Sequence, residues 1–203
     1  MIVIVDYNVG NLHNLKNALD YQDIPNRIAT RPEELDDASH MIFPGVGAFR
    51  PAIDHLREAG MEQAVLDFAA SGRPFLGICI GMQLMFETGH EDGSHKGLGL
   101  IGGEVVRFTE KGLKIPQIGW NEVAFQREDP LFQGISDHSF FYFVHSYHAR
   151  LRDQADALGL AEYGEWFPAI VRRKNMWGVQ FHPEKSQDAG LRLLKNFSIT
   201  VPE

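Results

Sequence analysis

The spacing of apolar positions changes several times along the chain, and each change marks an element. Residues 2–5 read IVIV, a continuous β-branched run of the kind that fills a central strand buried on both faces. In NLHNLKNALDYQ, Leu12, Leu15 and Leu19 fall on one helical face. NRIAT predicts a second strand, and SHMIFPG a third that stops at Pro44 and Gly45. Residues 52–70 carry a helical period interrupted near Gly60. RPFLGIC predicts a fourth strand running into a helical GMQLMFE. Strand alternating with helix predicts a parallel sheet with right-handed crossovers.

The pattern changes after Gly89. GHEDGSHKGLGLIGG reads as a glycine-rich loop. EVVRF, IGWNEVAF, SFFYFVHSYHARL, ADALGLAEYG, FPAIVRRKN and MWGVQF then predict strands separated by short turns. A closing helix begins near Ser186, with Leu191, Leu194 and Phe197 in register. We read residues 1–203 as one α/β domain, a parallel half followed by a more antiparallel half that returns to the same sheet.

Composition narrows the class. With 44% hydrophobic and 23% charged residues, the 203-residue chain suits a soluble domain with a core of its own. A single cysteine excludes an internal disulfide, which makes the cytoplasm the expected location. The net charge of -8, with no basic run longer than Arg172–Lys174, argues against a nucleic-acid partner. The longest apolar stretch, FLGICIGMQLMF, is about half a membrane span and is broken by Gln83. The first ten residues lack the basic region of a signal peptide.

That lone cysteine, Cys79, sits in GICIG, between an apolar strand and a helix. G-x-C-x-G matches the nucleophile elbow, in which small residues at ±2 let strand and helix backbones pass closely. The turn lifts the reactive atom toward the helix N-terminus, where backbone N–H groups favour a thiolate. A buried structural cysteine would also fit these five residues alone. GVQFHPEKS, residues 178–186, decides between the two. In an extended chain, His182 and Glu184 point to the same side, and Pro183 stiffens the segment. Together with Cys79 they make a nucleophile, a base and its orienter. Acyl chemistry also needs donors for a developing oxyanion. The N–H of Ile80 is one, and the PGVG loop, with Gly45, Val46 and Gly47, follows a strand end suited to supply another.

Two further patterns carry no chemistry. GLGLIG, residues 97–102, matches a dinucleotide fingerprint but lacks the preceding strand and following helix. His138, His145 and His148 lie close in sequence, but on a strand, without a metal-ligand pattern. No metal or cofactor is expected.

PGVGAF, GICIGMQLMFE, IPQIGWN, FYFVHSYH and GVQFHPEKS, in this order, resemble a triad-type (class I) glutamine amidotransferase. Within that family they are most similar to the glutaminase subunits of imidazole glycerol phosphate synthase, from histidine biosynthesis. The resemblance spans nearly the whole chain. It implies a flavodoxin-like fold, a central mostly parallel sheet flanked by helices with an antiparallel β-rich extension. It further implies that Cys79 attacks the glutamine side-chain amide, that His182 moves the proton and that Glu184 orients His182. Gln83, Glu91 and the backbone of Ser146 and Tyr147 are implied to hold the substrate, and the Gly45–Gly47 loop to re-orient before it donates. The implied partner is a (β/α)8-barrel synthase that receives the ammonia in a heterodimer and forms imidazole glycerol phosphate and aminoimidazole carboxamide ribotide. Asn11, Asn14, Trp120, Asn121 and Lys185 are implied at the interface. Many relatives carry histidine where this chain has Gln117, which bears on the coupling between barrel and oxyanion loop. The alternatives are a similar glutaminase serving another synthase, for example in sugar amidation, a stand-alone cysteine hydrolase, and a non-catalytic redox-sensing protein on the same sheet.

Overall fold

The structure is a computed structural model that describes residues 1–10, 12–109 and 112–201. The parallel half is built from β1 (Ile2–Val5), α1 (Leu12–Asp20), β2 (Asn26–Ala29), β3 (His40–Gly45), α2 (Phe49–Glu58), α3 (Glu62–Ala70), β4 (Phe75–Cys79) and α4 (Ile80–Leu84). After it come β5 (Phe86–Gly89), β6 (His95–Lys96), β7 (Ile101–Arg107), β8 (Gln117–Phe125), β9 (Ser139–His145) and β10 (Tyr147–Leu151). The chain then returns through β11 (Ala157–Tyr163), β12 (Glu165–Arg173), β13 (Met176–Val179) and α5 (Gln187–Ser198).

Among the described residues, nine strands form one sheet in the order β2-β1-β3-β4-β13-β12-β11-β8-β9. The pairs from β2 to β13 are parallel, and those from β13 to β9 are antiparallel. The large sheet thus changes from parallel to antiparallel at β13, as the two halves of the hydrophobic pattern require. β1, β3, β4 and β13 are buried along their whole length, which explains their unbroken apolar runs.

The register of three adjacent strands brings the site together. Gly45 of β3 stands beside Cys79 of β4, and Ile78 stands beside Val179 of β13. All three strands run in the same direction, so residues 44–47, 79–83 and 180–184 emerge at one end of the sheet. This is the carboxyl end, where open α/β sheets gather their chemistry.

Local geometry departs from the sequence reading where GHEDGSHKGLGLIGG, read as a loop, contributes β6 and the start of β7, and in three places nearer the site. First, β3 continues through Pro44 and Gly45. The β1–β3 ladder ends at Ile42, and the Tyr7 hydroxyl, not a strand N–H, donates to the Pro44 carbonyl at 2.8 Å. On that side the missing N–H of Pro44 leaves no ladder bond unmade. Second, α4 is only five residues long, and the chain re-enters a strand at Phe86. Met85 and Phe86 are fully buried, and Phe86 pairs with Ile101 in a separate four-stranded sheet ordered β10-β7-β5-β6. Third, the run FYFVHSYHARL is two strands. β9 belongs to the large sheet and β10 to the small one, and the chain crosses between them at Ser146.

Candidate active site

Cys79 closes β4 and precedes α4, with φ 54° and ψ -112°. A non-glycine residue there is strained by about 1–3 kcal/mol, a cost that packing around the elbow holds in place. The flanking glycines explain how the turn is possible. A Cβ on Gly81 would lie 1.8 Å from the Phe43 carbonyl oxygen, and one on Gly77 would lie 2.9 Å from the Met82 backbone. Helix and strand backbones therefore touch on both sides of the cysteine. Cys79 is 4% exposed, at the floor of a cavity of about 410 Å³ whose wall includes Val46, Gly47, Ile80, Gln83, Tyr147 and His182.

His182 and Glu184 come together differently from the sequence expectation. Residues Pro183–Lys185 form a 3-10 turn, closed by Lys185 N–H donating to the His182 carbonyl, rather than continuing the strand. Proline suits the first position of such a turn because its φ is already set and no N–H is wasted. Glu184 folds back over the turn, and its Oε1 lies 2.8 Å from His182 Nδ1. The Ser186 hydroxyl donates to the His182 carbonyl at 2.6 Å and fixes the segment from behind. With Nδ1 on the carboxylate, Nε2 is the ring nitrogen left free for the cavity that His182 and Cys79 line together. Burial opposes charge on this ring, but the hydrogen bond and charge of Cys79, followed by Glu184, outweigh it and push His182 up to about 10. The ring therefore holds a proton at neutral pH, ready for a leaving group.

Gln83, on the first turn of α4, is 1% exposed. Its Nε2 donates to the Tyr147 carbonyl and to Gln180 Oε1, each at 3.0 Å. Its Oε1 is buried with no partner among the described residues. Ser146 and Tyr147 line the cavity where the chain crosses between the sheets. Glu91 lines it too, and at the same time its Oε2 accepts from Phe49 N–H at 2.7 Å, at the N-terminus of α2. A carboxylate favours that end of a helix. Gly45 is buried beside Tyr7, whereas Val46 is 40% exposed and Gly47 takes φ 93°.

The residues implied at an interface fall into two environments. Trp120 is 46% exposed on β8, beside Ile118 at 60% and near Phe140 of β9 at 56%. The Trp120 ring meets Tyr142 edge-on, and Lys185 Nζ sits 5.9 Å over the same tyrosine. These side chains form one exposed apolar strip next to the His182 turn. Asn14 is exposed on α1, which contacts that turn. Asn121 is occupied within the chain, donating to the Glu162 carbonyl at 2.8 Å. Asn11 lies outside the described residues. Among the described residues, no group of three or more His, Cys, Asp or Glu side chains gathers as a metal would require.

Two residues of the site, Tyr7 and Gln180, have no role in the sequence reading, and a third, His145, enters it only as part of a histidine cluster without chemistry. Tyr7 is fully buried under the donor loop. His145 is buried with Nδ1 2.8 Å from the Tyr147 carbonyl, and burial, aided by nearby His148 and His182, depresses it to about 4. Gln180 is fully buried beside Cys79. A usable signal existed only for Gln180, a polar residue inside the apolar run GVQF.

A family model described as Glutamine amidotransferase class-I matches residues 3–201. The chain is 48% identical over 202 residues to the "Imidazole glycerol phosphate synthase subunit HisH" of Sulfurimonas denitrificans, covering 98% of this chain and 97% of that one. It is 49% identical over 203 residues to the protein of the same name from Desulfitobacterium hafniense, covering 100% and 96%. Among solved structures it is similar to a crystal structure titled glutamine amidotransferase, with TM-score 0.75, 22% identity and coverage of 98% and 100%. It also matches the structure of PurLQS from Thermotoga maritima, with TM-score 0.73, 17% identity and coverage of 97% and 96%. At these identities, the two structures speak for the fold.

Proposed function

We infer that this chain, which belongs to the class-I glutamine amidotransferase family, is the glutaminase subunit of imidazole glycerol phosphate synthase. It hydrolyses glutamine to glutamate and ammonia, and a (β/α)8-barrel synthase partner uses the ammonia. The observation that carries this reading is His182, held by Glu184 at 2.8 Å, lining the same cavity as Cys79, a cavity sized for an amino acid.

The Cys79 sulfur attacks the side-chain carbonyl carbon of glutamine, and its proton resides on His182. The carbonyl oxygen becomes an oxyanion, met by Ile80 N–H and by an N–H of the Gly45–Gly47 loop. When the tetrahedral intermediate collapses, the C–N bond breaks and His182 gives its proton to the departing nitrogen, releasing ammonia. Water, deprotonated by the now neutral His182, attacks the thioester, and glutamate leaves as the sulfur is restored. Glu184 keeps Nδ1 occupied throughout, so Nε2 is the nitrogen that exchanges protons with the site. The orphan Oε1 of Gln83 accepts from the substrate's ammonium group. The strip of Ile118, Trp120 and Lys185 faces the partner, where an aromatic anchor and an exposed cation suit a mixed interface. The partner and the cytoplasmic location belong to this reading as well.

The test is glutamate release from glutamine, measured for the chain alone and with the histidine-pathway barrel subunit and its nucleotide substrate. We expect stimulation by the barrel, and loss of turnover in Cys79→Ala with the fold retained. No stimulation, or near-normal turnover without Cys79, would overturn the assignment.

A further inference from the structure

The buried amides behind the nucleophile have a polarity that can be deduced contact by contact. The Tyr147 carbonyl can only accept. It lies 2.8 Å from His145 Nδ1 and 3.0 Å from the terminal amide of Gln83. Both groups must present N–H to it. The other ring nitrogen, Nε2, lies 2.9 Å from the Gln117 side-chain oxygen, which holds His145 in place on the far side from the Tyr147 carbonyl. On the other branch, the nitrogen end of Gln83 also contacts the amide of Gln180 at 3.0 Å. That contact requires the oxygen end of Gln180. The nitrogen end of Gln180 is thereby turned to the Cys79 sulfur, at 3.9 Å. Gln180 is 0% exposed and Gln83 is 1% exposed, so neither amide has water to relax the constraint.

We propose that Gln180 is a further catalytic residue, a neutral N–H donor that stabilises the anionic sulfur of Cys79, with its orientation imposed by Gln83 and the Tyr147 carbonyl. The proposal rests on the reading of Cys79 as the nucleophile. An anion in a site that is 4% exposed needs donors other than water. His182 supplies one N–H but gives up its proton during each turnover. Gln180 does not titrate and donates at every stage. The contact is long in the resting chain, as catalytic hydrogen bonds often are before substrate binds. The amide chain also gives Gln83 a second role, because its nitrogen end decides which end of Gln180 meets the sulfur.

Cys79 is the only cysteine, so alkylation by iodoacetamide reports this thiol alone. The titratable groups facing it are His182 and Tyr7, with Glu184 behind His182. We expect Gln180→Met to slow alkylation about tenfold at pH 6 and by less than about twofold at pH 9.5, because any free thiol is largely ionised at the higher pH and depends less on a donor. Equal slowing at both pH values would indicate altered access and overturn the proposal, as would an unchanged rate at pH 6 in a folded variant. Because a buried substitution can cost the fold, the native chain offers a second readout. The side-chain amide resonance of Gln180, in protein labelled with [15N]glutamine, should move with pH as alkylation rises and stay still in Cys79→Ala. A resonance indifferent to pH in the native chain also overturns it. A native chain that resists alkylation at every pH, while its denatured form reacts, removes Cys79 as the nucleophile and both readings with it.

Discussion

Lowering the pH from 7 to 4 should destabilise this protein through one histidine more than any sequence-based charge count would suggest. His145 is 6% exposed, and burial depresses its folded-state value to about 4, against 6.5 for an ordinary histidine. Above pH 6.5 neither the folded nor the unfolded chain protonates this ring, so it contributes no pH dependence. Between 6.5 and about 4 the unfolded chain binds a proton that the folded chain refuses, and stability falls as pH falls. At 1.36 kcal/mol per pH unit, the window from 6.5 to about 4 corresponds to about 3 kcal/mol. His40 and His148 are also lowered by burial and act in the same direction, so the native curve alone does not isolate His145. The comparison is with His145→Gln, which cannot titrate. Urea unfolding of both proteins at half-unit steps from pH 4 to 7.5 gives the difference. His145→Gln should be less stable at pH 7.5, where the contacts to the Tyr147 carbonyl and Gln117 are disturbed, and the gap should close by about 3 kcal/mol toward pH 4. Two curves separated by a constant offset across the range would refute the reasoning.

Two further outcomes follow from the elbow and the loop beside it. Gly81→Ala places a Cβ 1.8 Å from a backbone oxygen, which cannot swing aside as a side chain would. We expect a loss at the top of the overpacking range, about 3 kcal/mol, seen in thermal melts, and an elbow displaced enough to abolish glutaminase activity. Tyr7→Phe removes the donor at 2.8 Å from the buried Pro44 carbonyl and should cost about 1–3 kcal/mol. It should lower the kcat of the stimulated enzyme more than it changes KM for glutamine, because the donor loop acts on the transition state.

The legible parts of the sequence were those where one local rule acts alone. The runs IVIV and FLGIC could be read as buried strands because burial on both faces demands continuous apolar residues. The elbow was legible because only glycine permits the approach at Gly77 and Gly81. Cys79, His182 and Glu184 come together as the motifs suggested, although a 3-10 turn, not an extended strand, joins the last two. Illegible features depend on contacts between distant segments. Nothing local in FYFVHSYH announces that the chain changes sheets at Ser146; the pairing of β10 with β7 decides it. The short α4 ends because Phe86 is drawn into the small sheet opposite Ile101. Tyr7, His145 and Gln180 acquire their roles only once distant parts of the chain meet around two buried carbonyls, those of Pro44 and Tyr147, and one sulfur.

The crossing at Ser146 has a mechanical consequence. The cavity wall at Ser146 and Tyr147 is the seam between the two sheets, where the last residue of β9 and the first of β10 are separated by one residue. A molecule gripped at that seam acts as a rivet, adding a bond between two sheets that the backbone joins there through one residue. Occupancy should therefore be felt along the small sheet, in slower hydrogen exchange of Ala149 and Leu151, although neither residue lines the cavity.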